Sequence, residues 1–150
     1  MRMRILGVDF GMKRVGLAIS DETGTIAQSL DHLVGGSDQT VVRELLRIAA
    51  EHGVSTIVVG VPLRMNGSPS PQTERTLRFI TSLQQATTLP VKRWDERLTS
   101  VQAERALLEG NVRRKDRKEK IDKLAAQIML QSYLDAANLG PSGSDSSGGL

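Results

Sequence analysis

The stretch ILGVDFGMKRVGLAISD, residues 5–21, contains two apolar runs separated by a short turn. We predict that these runs are strands over residues 3–10 and 14–20, because short apolar runs bounded by turn residues are typical of strands. A third strand is predicted at 25–31. The short connections favour an antiparallel meander at the start of the chain.

Asp9 lies at the end of the first predicted strand, with Gly7 and Gly11 on either side of it. An aspartate at a strand end often accepts hydrogen bonds from its own turn. The two glycines favour a second interpretation, because a residue without a side chain lets a ligand approach the backbone closely. A phosphate or a metal ion would benefit from such an approach, and both interpretations remain open at this point.

The rest of the chain alternates between helix and strand signals. We predict a helix from Ser37 or Asp38 to Gly53, a strand in STIVVGVP, a helix from Ser70-Pro71, a strand in VKRWDE, a helix from a Thr99–Gln102 capping box to Gly110, and a last helix at 118–138. Three strands followed by this alternation predict an α/β fold: a mixed five-stranded sheet with helices packed on it. In such folds ligands bind beyond the carboxyl ends of the parallel strands, where Asp9 is predicted to lie.

The composition limits the class of protein. The chain has 150 residues, no cysteine, and 20 Lys+Arg against 17 Asp+Glu. That length fits one domain, predicted over residues 1–139, while the Ser/Gly-rich tail 140–150 has almost nothing to bury and is predicted to be disordered. The lack of cysteine excludes disulfides and thiolate metal sites, and it favours the cytoplasm. No run reaches the roughly 18 apolar residues of a membrane span, so we expect no membrane association.

Further carboxylates lie at two other places. Asp95 and Glu96 follow the fifth predicted strand, and Asp122 lies on the last predicted helix. The plain alternatives are a solvated strand end paired with Arg97 and an ion pair between Asp122 and Lys118, one helical turn earlier.

The angular position of Asp122 favours a functional role. At about 100° per residue from Ile121, Asp122 falls near 100°, inside the apolar arc of the last helix. A charge on that side is costly unless it is paired or bound to a cation. The residues predicted to face inward are Leu124, Ala125, Ile128, Met129 and Tyr133, and those predicted to face the opposite way are Lys123 and Gln127.

Together the carboxylates predict a hard-metal site. Mg²⁺ and Mn²⁺ prefer carboxylate oxygens, whereas zinc would need more imidazole than His32 and His52 supply. Clustered carboxylates raise one another's pKa values, so such a site is strained without a cation. Two divalent ions held there can activate water and stabilise the leaving oxygen in phosphodiester hydrolysis.

A basic run, VRRKDRKEK, precedes the helix that carries Asp122. Most charge runs are solvated mobile loops, but the position beside a predicted metal site favours contact with a phosphate backbone. The chain has only four aromatic residues, too few for a base-stacking platform. The Gly/Pro-rich connection at 60–72 either flanks substrate or is simply a loop. The cationic candidates for nucleic-acid contact are Lys13, Arg14, Arg97, Arg113, Arg114, Lys115 and Lys118.

Four motifs occur in the order and spacing of a known family: GVDFGMKRVGLAISD, GVPLRMNG, WDERLTS and KIDKLAAQIMLQSYLD. Over about residues 4–135 the chain resembles the YqgF/RuvX family, ribonuclease-H-like proteins first named as Holliday junction resolvases and associated with maturation of the 5′ end of pre-16S rRNA. The resemblance implies a ribonuclease-H-like fold and a Mg²⁺-dependent cytoplasmic nuclease. It also places Asp9, the Asp95-Glu96 pair and Asp122 on the acidic site.

The resemblance leaves the substrate and the oligomeric state open. A structured RNA precursor and a branched DNA junction would use the same carboxylates, and symmetric cleavage of a junction would call for a homodimer instead of a monomer. A non-catalytic RNA-binding assembly factor is a rival, as is an actin-like ATPase or sugar kinase, although the chain has no room for a second lobe. Strand alternation sends Asp95 and Glu96 to opposite faces. The family pattern and the longer side chain favour Glu96 as the ligand and give Asp95 a structural role.

Overall fold

The computed structural model of the protein describes residues 4–11, 13–99 and 114–139, and within the last range it describes the side chains of 124–138. Its elements are β1 (Ile5–Phe10), β2 (Arg14–Ser20), β3 (Ala27–Val34), α1 (Asp38–His52), β4 (Thr56–Val61), α2 (Pro71–Ala86), β5 (Val91–Asp95) and α3 (Arg114–Leu139). The sheet order is β3-β2-β1-β4-β5. The first three strands form the predicted antiparallel meander, and β1, β4 and β5 are parallel. The predicted mixed five-stranded sheet is confirmed.

One face of the sheet carries large apolar side chains. In β1 these are Leu6, Val8 and Phe10, which alternate along the strand and join the core formed with α1 and α2. Phe10 stacks on Phe79 of α2, with ring centroids 4.3 Å apart and an interplanar angle of 13°. Both helices therefore cover the same face of the sheet.

The ends of α1 and α2 follow their predicted caps. The Ser37 side chain accepts a hydrogen bond from Thr40 N at 3.2 Å, and Gly53 ends α1 in the left-handed region at φ 66°. Ser70 and Thr73 form a reciprocal capping box at the start of α2, with a proline at its first position. These caps set where the two helices begin on the sheet.

The opposite face is covered by α3, which packs on Ile5 and Val58 in a second apolar cluster and approaches closely where the sheet carries glycines. A Cβ added at Gly7 would lie 2.9 Å from Leu130 Cβ, and one added at Gly16 would lie 3.3 Å from Ala126 Cβ. Asp9 pairs with Gly16 across the β1–β2 ladder. Moving along β1 from Gly7 to Asp9 therefore moves back along α3 from Leu130 to Ala126, which shows that α3 runs antiparallel to β1.

The buried face of α3 differs from the predicted one. Leu124, Ala125 and Ile128 are only half-buried. Gln127, predicted to face away, donates its side-chain amide to the Ala27 carbonyl at 3.1 Å. The reason is that α3 also covers the start of β3, where backbone polar groups need partners. The fully buried apolar residues are Ala126, Met129, Leu130 and Leu134.

Several element boundaries also differ from the predictions, among them the start of β1 at Ile5 and the end of β3 at Val34. The third strand begins at Ala27 and not at 25, because the backbone N–H groups of Thr25 and Ile26 donate to Asp21 Oδ1 in the preceding turn. The last helix begins at Arg114 and not at 118, because the basic run consists of residues with good helix propensity and lacks Gly and Pro. The predicted cap at Thr99 is wrong: residues 96–99 are already helical, and the Thr99 hydroxyl accepts from the Trp94 indole N–H at 2.8 Å.

Some predictions lie outside the described residues. These are the helix expected to end at Gly110, the basic residue Arg113 and the tail 140–150. For four further candidates the structure describes the backbone, which is part of α3, but not the side chains. These are Arg114, Lys115, Lys118 and Asp122.

Candidate active site

The carboxyl ends of three parallel strands meet at one edge of the sheet. The ladder pairs Val8 of β1 with Val59 of β4. It also pairs Gly60 with Trp94 of β5. Asp9 comes one residue after Val8, and Glu96 comes directly after the last residue of β5. Strand pairing therefore brings two carboxylates that are far apart in sequence to the same edge, on either side of β4.

The side chains of Asp9 and Glu96 are in direct contact. Burial raises the pKa of Glu96 to about 9, and the negative charge of Asp9, a hydrogen bond with Asp9 and the charge of Asp95 act in the same direction. Without a cation, Glu96 therefore holds a proton at neutral pH and donates it to Asp9. Two carboxyl groups that share one proton in this way are typical of a site built to bind positive charge.

Gly60 makes the contact possible. A Cβ added at Gly60 would lie 2.5 Å from Glu96 Oε2 and 2.8 Å from Glu96 Cγ. The Glu96 side chain therefore lies directly over the backbone of β4, in space that the side chain of any other residue at position 60 would occupy. Gly60 is not among the residues predicted to form the site, although its position at the end of a buried strand is a signal of close approach.

The two glycines that did attract attention serve the fold. Gly7 makes room for Leu130 of α3, and a Cβ at Gly11 would lie 2.7 Å from the Arg14 carbonyl oxygen inside the β1–β2 turn. Gly7 does not face open space, so the interpretation that it admits a phosphate or metal is wrong. Gly11 also lines a cavity together with Phe10 and Arg75, while Gly60 makes room for Glu96 and not for a ligand.

Asp95 has a different environment from Glu96. Arg97 Nη2 lies 2.6 Å from Asp95 Oδ2, Arg97 Nε lies 3.1 Å from Asp95 Oδ1, and the Arg97 backbone N–H donates to the same Oδ1 at 3.0 Å. The side-chain hydrogen bond from Arg97 is the main reason that the pKa of Asp95 lies below its usual range. Asp95 thus forms the ion pair considered as an alternative in the sequence, while Glu96 faces Asp9.

The other predicted contact residues are less constrained. Lys13 and Arg14 are exposed in the β1–β2 turn. Their carbonyl oxygens accept hydrogen bonds from Gly35 N at 2.8 Å and Gly11 N at 3.0 Å, which fixes the turn beside Asp9. Among the described residues no group of three His, Cys, Asp or Glu side chains is close enough to hold a metal. The third predicted carboxylate, Asp122, is not among the described side chains.

Comparison with known proteins assigns the family. A family model described as "RuvX: Holliday junction resolvase" matches residues 3–136. The chain belongs to the RuvX family. A relative from Thermoanaerobacter pseudethanolicus, named "Putative pre-16S rRNA nuclease", is 46% identical over 135 residues, which covers 89% of this chain and 97% of the relative. A relative of the same name from Geobacillus kaustophilus is 46% identical over 136 residues, covering 89% and 99% of the two chains.

The RuvX chain also resembles solved structures. RuvC of Thermus thermophilus in complex with a Holliday junction substrate matches with a TM-score of 0.59 at 14% identity, covering 92% of this chain and 96% of that one. At this identity the likeness concerns the fold alone, and it confirms the predicted ribonuclease-H-like α/β class. None of the described helices is both long and apolar enough to cross a membrane.

Proposed function

We propose that this RuvX chain is a metal-dependent nuclease that hydrolyses phosphodiester bonds in 5′-end processing of pre-16S rRNA, in the cytoplasm. The observation that carries the proposal is the contact between Asp9 and Glu96 at the carboxyl edge of the parallel strands, with a proton held between them. Family membership and the names of the relatives support the reaction class and the substrate.

The donor set fits Mg²⁺ or Mn²⁺. Asp9 and Glu96 offer only carboxylate oxygens, which these hard cations prefer. The raised pKa of Glu96 supports a cation at this place. In the metal-free protein a proton offsets the repulsion between the two carboxylates, and a bound metal would offset it in the same way. When bound, the metal would activate water and stabilise the leaving oxygen of the phosphodiester. Asp9 and Glu96 would hold it, together with Asp122.

The path of α3 supports the inclusion of Asp122. Leu130 lies against Gly7, and Ala126 lies against Gly16, which pairs with Asp9. Position 122 comes four residues before Ala126, about 6 Å further along the helix axis at 1.5 Å per residue. Because α3 runs antiparallel to β1, that step leads towards the carboxyl edge where Glu96 meets Asp9.

The residues of the chain then divide the work. Asp9 and Glu96 would position the metal, and Glu96 would give up its proton when the metal binds. Lys13 and Arg14 in the exposed β1–β2 turn would contact phosphates of the substrate strand near Asp9. We assign the same role to three basic residues at the start of α3, namely Arg114, Lys115 and Lys118, and to Arg113, which precedes them in the sequence.

A four-way DNA junction is the second candidate substrate, because the matching family model is described as a resolvase. Cutting a junction symmetrically requires two active sites related by a twofold axis, so this function predicts a homodimer. Processing of one RNA end can be performed by a monomer. The oligomeric state during cleavage therefore helps to distinguish the two substrates.

Parallel cleavage assays test the proposal. A pre-16S rRNA fragment that spans the mature 5′ end and a four-way DNA junction are each incubated with Mg²⁺ or Mn²⁺, with wild-type protein and with Asp9→Asn. We expect cleavage of the RNA by wild-type protein and a loss of about a hundredfold or more in Asp9→Asn, since positioning of the reacting groups contributes on that scale. Preferential cleavage of the junction would favour the second candidate. A protein that cuts neither substrate and shows no Mn²⁺-dependent rise in melting temperature would be a non-catalytic assembly factor.

A further inference from the structure

The connection between β4 and α2 contains a tightly bonded turn at residues 64–67, here called the 64–67 turn. Gly67 N donates to the Arg64 carbonyl at 2.7 Å, and Arg64 N donates to the Ser68 carbonyl at 2.9 Å. Asn66 Oδ1 accepts from Ser68 N at 2.9 Å and from Ser68 Oγ at 2.7 Å. Gly67 has φ 90°, a conformation that side chains other than hydrogen disfavour. The turn thus has one defined shape.

Arg97 fastens this turn to the candidate active site. Its Nη1 donates to the Met65 carbonyl at 3.2 Å, while its Nε and Nη2 bind Asp95. A Cβ added at Gly67 would lie 3.3 Å from the same Nη1, so the guanidinium lies against the turn. Arg97 comes directly after Glu96, and Asp95 directly before it. The ion pair between Asp95 and Arg97 therefore joins the two residues on either side of Glu96, the residue that contacts Asp9.

The turn displays an exposed apolar side chain at the point where Arg97 binds it. Met65 is 82% exposed, the most exposed of the large hydrophobic residues among the described part of the chain, and its neighbours Arg64 and Asn66 are exposed too. A single exposed apolar residue on a mobile loop would call for no explanation. Met65 differs because its carbonyl accepts a hydrogen bond from Arg97, the residue that follows Glu96. An apolar tip whose backbone is fixed in this way, by the residue next to a site carboxylate along the chain, has the features of a substrate contact.

The chemistry of the tip identifies what it would touch. A thioether packs well on the face of an aromatic ring. Bases within a duplex hide their faces by stacking, whereas bases of single-stranded RNA can be splayed out and packed against side chains. Arg64 beside Met65 would meet the phosphate of the same nucleotide. The combination of one cation and one apolar tip therefore suits an unstacked nucleotide of single-stranded RNA.

We propose that Met65 packs against an unstacked base of single-stranded RNA next to the phosphodiester held at Asp9 and Glu96, and that Arg97 is a positioning residue that holds the 64–67 turn in place for this contact. The inference rests on the proposed nuclease function and adds to it a determinant of substrate form. It also replaces the predicted direct contact of Arg97 with nucleic acid, because its guanidinium is engaged by Asp95 and by the turn.

The first test measures binding without cleavage. A short single-stranded RNA that contains the fluorescent base 2-aminopurine is titrated with protein in the presence of a chelator. We expect Met65→Ser to weaken binding about tenfold and to reduce the fluorescence change, since burial of a methionine side chain contributes on that scale. Met65→Leu should bind like wild type. Ile26→Ser is the matched control, because Ile26 is also an exposed hydrophobic, 57% exposed, but precedes the start of β3 at the opposite edge of the sheet.

The second test separates positioning from phosphate contact. Arg97→Lys keeps the charge but loses the planar fork that joins Asp95 to the Met65 carbonyl. If Arg97 acts through the turn, Arg97→Lys should weaken binding about as much as Met65→Ser, the double variant should be no weaker than the weaker single variant, and the salt dependence should stay unchanged. Additive losses, or a salt slope reduced by about one unit, would show that Arg97 contacts phosphate and would overturn its positioning role.

Two further outcomes would overturn the contact itself. The first is that Met65→Ser binds single-stranded RNA as tightly as wild type does. The second is that Met65→Ser loses as much affinity for fully paired RNA or for a four-way DNA junction as for single-stranded RNA, because the contact would then not depend on an unstacked base. Since binding is read in chelator, a protein that fails to cleave RNA with metal while showing the expected binding pattern would refute the nuclease function and leave the contact standing.

Discussion

The two faces of the sheet are built for different purposes. The face towards α1 and α2 carries large side chains such as Leu6, Val8 and Phe10. The face towards α3 carries Gly7 and Asp9 from the same strand, next to Gly16 from β2. Gly7 and Gly16 let α3 approach closely. At the carboxyl edge, Gly60 leaves room for the contact between two carboxylates. The first face buries the larger apolar cluster, and the second combines a smaller apolar cluster with the candidate site.

The largest expected effect tests this division from the apolar side. Phe79→Ala removes a fully buried ring that stacks on Phe10, and we expect the free energy of unfolding to fall by about 3–5 kcal/mol. The measurement is urea denaturation followed by circular dichroism. The rise in melting temperature that Mn²⁺ causes in this variant should match the rise in wild type. A folded Phe79→Ala protein that has lost the response to Mn²⁺ would show that the two faces are coupled.

The next effect tests the functional face. Gly60→Ala places a methyl group against Glu96 Oε2 and Cγ, so the carboxylate must move away from Asp9. We expect cleavage to fall at least about tenfold, because small misplacements at a reacting centre are costly, while the protein still folds since the whole glutamate side chain can change rotamer. Gly36→Ala is the matched control, because a Cβ there would meet nothing within 4 Å. Equal activity of the two variants would mean that the position of Glu96 does not matter.

A pH dependence separates the carboxylate pair from the rest of the molecule. The pKa of Glu96 is raised from 4.5 to about 9 in the folded, metal-free protein. Above the lower value the unfolded chain releases this proton while the folded chain keeps it, so stability falls as pH rises towards the higher value. In chelator, wild type should therefore lose more stability between pH 5 and pH 8.5 than Glu96→Gln does. Parallel pH profiles of the two proteins in thermal melts would contradict the shared proton.

The smallest expected effect concerns Asp95. Asp95→Asn weakens a partly exposed ion pair with Arg97, so we expect a loss of at most about 1 kcal/mol at pH 7, with kcat retained. The pKa of Asp95 is lowered in the folded protein, so the contribution of the ion pair is present above the usual aspartate value and disappears as pH falls below it. Chemical denaturation at pH 7 and at pH 3 should show the difference shrinking. Loss of kcat in Asp95→Asn would place Asp95, and not Glu96, in the site.

Much of the fold could be predicted because its signals are local. The helix caps at Ser37, Gly53 and Ser70 have side-chain or backbone chemistry that acts within a few residues. The alternation of elements then limited the topology to a mixed sheet. The errors arose where a tertiary contact decided the outcome. Thr99 accepts a hydrogen bond from the Trp94 indole instead of capping a helix, and Gln127 donates one to the backbone of β3 instead of facing away.

The same distinction applies to the candidate site. Asp9 could be selected because it lies at the end of an apolar strand, and Glu96 because the family pattern and its longer side chain favour it over Asp95. Their contact, and the role of Gly60 beneath it, depends on the pairing of β1, β4 and β5, which no local pattern encodes. The misreading of Gly7 has the same origin, because its neighbour Leu130 is more than a hundred residues away in sequence.

The antiparallel path of α3 along β1 has a consequence for how the gene can change in length. Leu130 and Ala126 meet successive levels of the sheet, so each helical turn is tied to two strand residues. One codon inserted between positions 122 and 126 would turn position 122 by about 100° around the helix while leaving the packing from Ala126 onwards intact. We expect such a chain to fold, with position 122 turned away from the direction it has now. Under the proposed metal-binding role of Asp122, insertions in this short interval would therefore impair catalysis more than stability, whereas the turn after β2 would be free of that restriction.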